Sequence, residues 1–184
     1  MQVENATVLL LLAEIHKKSG SAVLGLPYAL ACLSFCQSLN LYLLKASANL
    51  TLAELWLALG PCEAKRALSL LHGALPMILG HGGLELRARA HITEAKCYLS
   101  DPQYSVFNEP EVVLNPLKQA CDGLQVLEYH ELAAEAFYLI AVVYDKLGDL
   151  EEREKAAASF KEHTLALQNL PASEDSLFDM LQQM

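Results

Sequence analysis

Apolar residues run along this chain three and four positions apart, and the runs break at short clusters of Gly, Pro, Asn and Asp. That spacing predicts helices, and no stretch has the two-residue alternation of a convincing strand. The stretch LTLAELWLALG, residues 50–60, is the extreme case, because nearly every side of a helix drawn through it is greasy. Such a helix suits a membrane, the wall of a pocket, or an inner layer of a stack.

Aligning the chain on Ala53 of that stretch finds three more segments of the same outline: VLLLLAEIHKKSG at Ala13, HITEAKCYLSDP at Ala95 and FYLIAVVYDKLG at Ala141. The spacings are 40, 42 and 46 residues. Three positions after each alanine stands a ring (His16, Trp56, Tyr98, Tyr144), and seven after it a turn former (Gly20, Gly60, Pro102, Gly148). A small residue admits a neighbouring helix, a ring fills the space between two helices of a pair, and glycine supplies the positive φ that ends the first helix.

A second helical segment follows each turn. Pro61 suits a first helical turn, and Ala64, Ala67, Leu68 and Leu71 keep one apolar stripe. Asp149 with Glu152 forms a capping box for a helix that runs to about Leu170, where Pro171 stops it. Asn115-Pro116 predicts a restart after the insertion 101–114, through about Glu128, and Leu26-Pro27 a start that reaches about Asn40. The sum is an all-α chain, an α-solenoid of about four divergent tetratricopeptide-like helix pairs, with units near 3–40, 41–80, 84–128 and 131–170. Residues 172–184 form an acidic tail with the pattern of a short amphipathic helix, Ser176 capping and Leu177, Phe178 and Leu181 on one side; a frayed segment is the alternative.

The ring, small-residue and glycine pattern resembles the tetratricopeptide repeat, best at Phe137, Ile140, Ala141, Tyr144 and Gly148-Asp149. Three features depart from it: units longer than ~34 residues, Arg153 where the second helix usually has alanine, and the insertion in unit three. The first helix of each pair lines the concave groove in such arrays. By register, the groove positions are Thr7, Leu10, Glu14 and Lys17; Ser47, Leu50, Glu54 and Leu57; Arg89, Ile92 and Lys96; and Glu135, Tyr138, Val142 and Asp145. The polar members and Tyr138 are the candidate partner-binding set: Glu14, Lys17, Glu54, Arg89, Lys96, Glu135, Tyr138 and Asp145.

Composition and charge narrow the function. Apolar residues are 53% and charged residues 19% of 184, with a net charge of −9. Residues 1–73 hold 5 Lys/Arg against 4 Asp/Glu, whereas residues 131–184 hold 4 against 11, so the acidity lies late in the chain. Without clustered cations nucleic acid is not an expected partner. Residues 22–44 are apolar but broken by Ser34, Gln37, Ser38 and Asn40, so no membrane span is expected. Five cysteines without a C-x-x-C pair suit reduced, buried thiols in an intracellular protein.

The stretch SGSAVLGLPYALACLSFCQSLNLYLLKASANLTLAELWLALG, residues 19–60, with AKRALSLLHGALPMIL, residues 64–79, is similar to the C-terminal repeat region of the anaphase-promoting complex subunit 5 family. The match thins over AKCYLS and returns in outline over FYLIAVVYDKLGDLEERE. The resemblance implies a non-catalytic scaffold subunit of a multi-subunit ubiquitin ligase that drives mitotic exit. It also implies other subunits as partners, a place in nucleus and cytoplasm, and neither a cofactor nor a small-molecule substrate. The few charges of residues 1–73 agree, since one face there would stack on further repeats or on a partner.

Catalytic chemistry has little to stand on. No G-x-S-x-G, phosphate loop, H-E-x-x-H or dinucleotide fingerprint occurs. GHGG, residues 80–83, has the look of an oxyanion loop but no nucleophile elbow to serve, and reads more simply as a flexible link between units two and three. Cys32 and Cys36 share a helix face and could offer two thiolates to a metal, but their apolar neighbours favour plain packing. Tyr28, Phe35 and Tyr42, seven apart, fit a core or inter-repeat seam better than an aromatic cofactor box. No catalytic, cofactor or metal residue is assigned and no enzyme is expected. The competing function is a free tetratricopeptide-type peptide-binding adaptor, for which the groove offers only three scattered cations, Lys17, Arg89 and Lys96.

Overall fold

The computed structural model describes residues 2–169, and the tail 172–184 lies outside them. It contains eight α-helices: α1 (Gln2–Lys18), α2 (Ala22–Leu39), α3 (Tyr42–Leu59), α4 (Ala64–His81), α5 (Leu84–Ser100), α6 (Glu111–Leu127), α7 (His130–Leu147) and α8 (Leu150–Asn169). Among the described residues there is no strand. Helices pack in consecutive pairs, α1 with α2 through α7 with α8, and α1, α3, α5 and α7 also touch in series. Each of α2, α4 and α6 is wedged between its own mate and the next odd helix. The architecture is the all-α solenoid that the periodicity predicts.

The repeated positions do the work their chemistry suggests. Ala13, Ala53 and Ala95 are wholly buried where helices approach most closely. The rings fill the gap beyond them: His16 stacks on Tyr28 at 5.4 Å, the Arg66 guanidinium lies 3.8 Å over Trp56, and Tyr98 packs on Tyr104 at 5.4 Å. Gly20 and Gly148 take φ of 74° and 76°, which lets Ser21 N–H close onto His16 O and Asp149 N–H onto Tyr144 O, satisfying end carbonyls. Gly25 meets the close approach of three helices, since a Cβ there would lie 3.1 Å from Ala13 O and 2.9 Å from a Leu55 methyl. Leu55 itself is fully buried, a burial that stabilises by roughly 1.5–3 kcal/mol.

Several boundaries differ from the sequence reading. Pro61 does open a 3₁₀ turn (Pro61–Glu63) ahead of α4. Pro27 and Pro116, however, are the sixth residues of α2 and α6 rather than their starts. A proline there removes one N–H, so only the second residue's carbonyl loses its partner, and the first turn survives because Ala22, Val113 and Leu114 bury it. The GHGG link is shorter than read, because Gly80 and His81 belong to α4 and only Gly82-Gly83 joins the units. A Cβ on Gly82 would lie 2.5 Å from Ile78 O, which explains the glycine without any ligand. The insertion after α5 is folded down: Val106 is buried, and Tyr104 Oη donates to Glu109 O at 2.6 Å.

The aromatic seam also needs correction. Tyr28 packs in the core, but Phe35 and Tyr42 are exposed. By length and composition alone α2 could cross a membrane. In the array its stripe Ala22, Gly25, Ala29, Cys32 and Cys36 is buried against α1 and α3, while Val23, Leu24 and Leu30 face outward.

Candidate partner-binding groove

The odd-numbered helices form the inner row, and between them lies an open cavity of about 580 Å³ lined by those helices and the α6–α7 link. Six of the eight predicted groove residues line it: Glu14 and Lys17 of α1, Glu54 of α3, Arg89 and Lys96 of α5, and Glu135 of α7. Tyr138 and Asp145 lie outside it. Tyr138 packs on Phe160 of α8 at 5.9 Å, and Asp145 accepts from Arg153 Nη1 at 3.1 Å. Leu10, Leu50 and Ile92, assigned to the groove by register, are instead buried in the seams between neighbouring pairs. Leu10 shares a buried cluster with Ala48 of α3, Leu50 with Ala90 of α5 and Ile92 with Ala133 of α7, so the next inner helix covers each of them.

The groove's charges are paired across helices. Arg89 donates from Nη1 to Glu14 Oε1 at 3.0 Å and from Nη2 to Glu54 Oε2 at 2.8 Å, bridging α5 to both α1 and α3. Lys17 pairs with the same Oε2 atom of Glu54. Thr51 Oγ1 donates to Glu14 Oε1 at 3.2 Å and Thr93 Oγ1 to Glu54 Oε1 at 3.3 Å. Farther along, Lys96 of α5 pairs with Glu135 of α7. Burial pushes the Glu54 carboxyl upward, but the charges and hydrogen bonds of Arg89 and Lys17 outweigh it and hold the group below the ordinary range. Burial likewise disfavours the Arg89 cation, and Glu54 and Glu14 more than reverse that.

Register reading missed Lys18, Glu85, Glu131 and Leu132, which also line the cavity, and the hydroxyls of Thr51 and Thr93. One signal for the threonines was in reach: both stand two residues before the repeat alanine. Cys32 and Cys36 have sulfurs 3.9 Å apart, packed beside Ala6, Leu10 and Ala48, and burial pushes the Cys32 thiol up to about 12. Among the described residues no group of three His, Cys, Asp or Glu converges as a metal site. Chemically the groove is a lined trough whose Lys17, Arg89 and Lys96 already hold carboxylates.

Stacked helix pairs with a ring, a small residue and a stop in each unit define a tetratricopeptide-like helical-repeat protein. No family model matches the chain. Over 169 residues it is 73% identical to "Anaphase-promoting complex subunit 5" of Arabidopsis thaliana, in an alignment covering 92% of this chain and 18% of that protein. The protein of that name from Homo sapiens is 30% identical over 162 residues, 85% of this chain and 21% of its own length. That from Gallus gallus is 32% identical over 171 residues, 90% and 22% respectively. The chain is a homologue of a segment of anaphase-promoting complex subunit 5, and it spans about a fifth of the length of these curated relatives.

Proposed function

We propose that the chain is a non-catalytic scaffold segment of an anaphase-promoting complex ubiquitin ligase, acting in nucleus and cytoplasm in the control of mitotic progression. It holds other subunits through its helical-repeat surfaces. The observation that carries this reading is the 73% identity, across 92% of the chain, to a protein whose name assigns it to that complex.

A surface feature supports it. Val8, Leu11 and Ile15 on α1 are 53%, 52% and 60% exposed. The residues at the same register in α3, Ala48, Thr51 and Leu55, are all 0% exposed, and Ala90, Thr93 and Cys97 in α5 are no more than 2% exposed. In α3 and α5 that side is covered by the preceding pair, so the α1 face has the make-up of a joint, continued by Val23, Leu24 and Leu30 of α2. A scaffold needs such a joint. A free adaptor needs unpaired cations in its groove for a peptide carboxylate, and the pairing of Lys17, Arg89 and Lys96 weighs against that reading.

Affinity purification of the tagged chain from mitotic cells tests the proposal. Other subunits of the ligase are expected in the eluate and are expected to be lost with a Leu11→Asp, Ile15→Asp variant. An eluate devoid of every such subunit refutes it.

A further inference from the structure

The opposite end of the inner row carries a second uncovered face, and register identifies it independently of α1. The position three before the repeat alanine is Leu10 in α1, Leu50 in α3 and Ile92 in α5, exposed by 8%, 0% and 2%. In α7 it is Tyr138, 53% exposed, and Ala141 beside it is only half-buried where its three counterparts are wholly buried. Phe160 of α8 abuts Tyr138 and is itself exposed, so two aromatic rings form one apolar patch. The three counterparts are covered because an odd helix follows each of those units; among the described residues nothing covers the α7 position.

The route by which chain reaches such a face is the same throughout the array. Each even helix hands over to the next odd helix through two residues, 40–41, 82–83 and 128–129. The far end of α8 lies at the start of α7, where the Nδ1 atoms of His163 and His130 are 2.9 Å apart. Asn169, the last described residue, thus ends on the side of the array from which a covering helix would set out along α7. The sequence that follows is LPASEDSLFDMLQQM, residues 170–184, in which Ser176 stands three before Asp179 and Leu177, Phe178 and Leu181 share one side at helical spacing. At about 1.5 Å per residue, nine residues from 176 reach roughly 13 Å, and Tyr138 is about 12 Å along α7 from His130.

We propose that the Tyr138–Phe160 face is an intramolecular docking surface for residues 176–184, with Leu177, Phe178 and Leu181 as the apolar contacts. The tether of six residues after Asn169 keeps the local concentration of the segment high, so a contact too weak to form between separate molecules forms within one.

Hydroxyl-radical footprinting of the 184-residue chain tests this, with Tyr42 as internal reference because its 64% exposure is close to the 53% of Tyr138. The expected result is that Tyr138 oxidises several-fold more slowly than Tyr42, that Phe178→Asp with Leu181→Asp brings the two rates together, and that circular dichroism of the variant keeps the parent's helical signal. Added synthetic peptide of residues 170–184 should restore protection to the variant. Equal rates in the parent chain overturn the proposal. Protection that appears only as protein concentration rises also overturns it, and assigns the face to a second copy; protection unchanged in the variant assigns the cover to something other than this segment.

Discussion

Arg89→Met removes a charge that ties α5 to both α1 and α3 while leaving a side chain of similar length in place. Arg89 is 16% exposed, as is Glu54, and Glu14 is 26% exposed. Taking one partner from a buried ion pair is worth about 3–5 kcal/mol when the stranded charge has no substitute. Here Glu54 keeps Lys17 and Thr93, and Glu14 keeps only Thr51. The expected loss is thus below that range, about 2–3 kcal/mol. At about 2–4 °C per kcal/mol for a chain of this size, the melting temperature should fall by about 4–12 °C. Thermal unfolding followed by far-ultraviolet circular dichroism measures this. Lys155→Met, which removes a fully surface-exposed pair with Glu151 and Glu152, serves as the control and should leave the midpoint unchanged. Adding Glu14→Met to Arg89→Met should recover part of the loss, because the carboxylate left without a cation disappears with its partner. The pH dependence has a definite sign. Glu54 titrates below its ordinary value of 4.5 in the folded chain, so its contribution is complete above that value and is lost as pH falls through the lowered one. In Arg89→Met the acid transition should begin at higher pH. A midpoint for Arg89→Met no lower than that of the Lys155 control, with an unmoved acid limb, would exclude a stabilising role for the Arg89 bridge.

Three further outcomes follow from named contacts. Cys62 is the one exposed thiol of five, and burial pushes Cys97 and Cys121, like Cys32, up to about 12, so a thiol-reactive dye at pH 8 should label one cysteine per folded chain and all five in urea. Gly82→Ala drives a methyl against Ile78 O and should destabilise by about 1–3 kcal/mol, whereas Gly80→Ala, helical and open, should stabilise by up to about 1 kcal/mol; urea midpoints in the reverse order count against this account. Leu11→Lys with Ile15→Glu removes the apolar stripe of α1 and should lower self-association of the 184-residue chain in light scattering, while Leu55 at the same register as Ile15 should tolerate no such change.

The helix pairs were legible because their determinants are local. An alanine, a ring three later and a stop seven later all lie within eight residues, and each acts within its own turn or against its own mate. The half-written capping box at Asp149 is of the same kind: its carboxylate accepts from Glu152 N at 3.1 Å, and Glu151 reaches Lys155 at 2.8 Å. Proline misled where it stood at the sixth helical residue, because the local rule marks a start only in the first turn and cannot see that buried Val113 and Leu114 hold the turn before Pro116. The groove was legible as a set of positions, and six of them do line one cavity. Who pairs with whom was not: Glu14 and Arg89 are 75 residues apart, and nothing near either names the other.

That non-local pairing bears on how a chain so rich in Leu and Ala settles on one arrangement. The seams of Ala13, Ala53, Leu50 and Ile92 are apolar, and apolar contacts are non-directional, so they discriminate weakly between alternative packings of similar burial. The ion pairs do not tolerate them. Sliding α5 by one turn along α3 displaces Arg89 by about 5.4 Å, which takes its guanidinium beyond hydrogen-bond reach of both Glu54 and Glu14. The slipped arrangement would keep most of its hydrophobic contacts and yet leave the Glu14 carboxylate without Arg89 and Glu54 with Lys17 alone, a state disfavoured by about 2–3 kcal/mol. Burial therefore accounts for why the helices associate, and the Lys17–Glu54–Arg89–Glu14 row accounts for the register at which they do so.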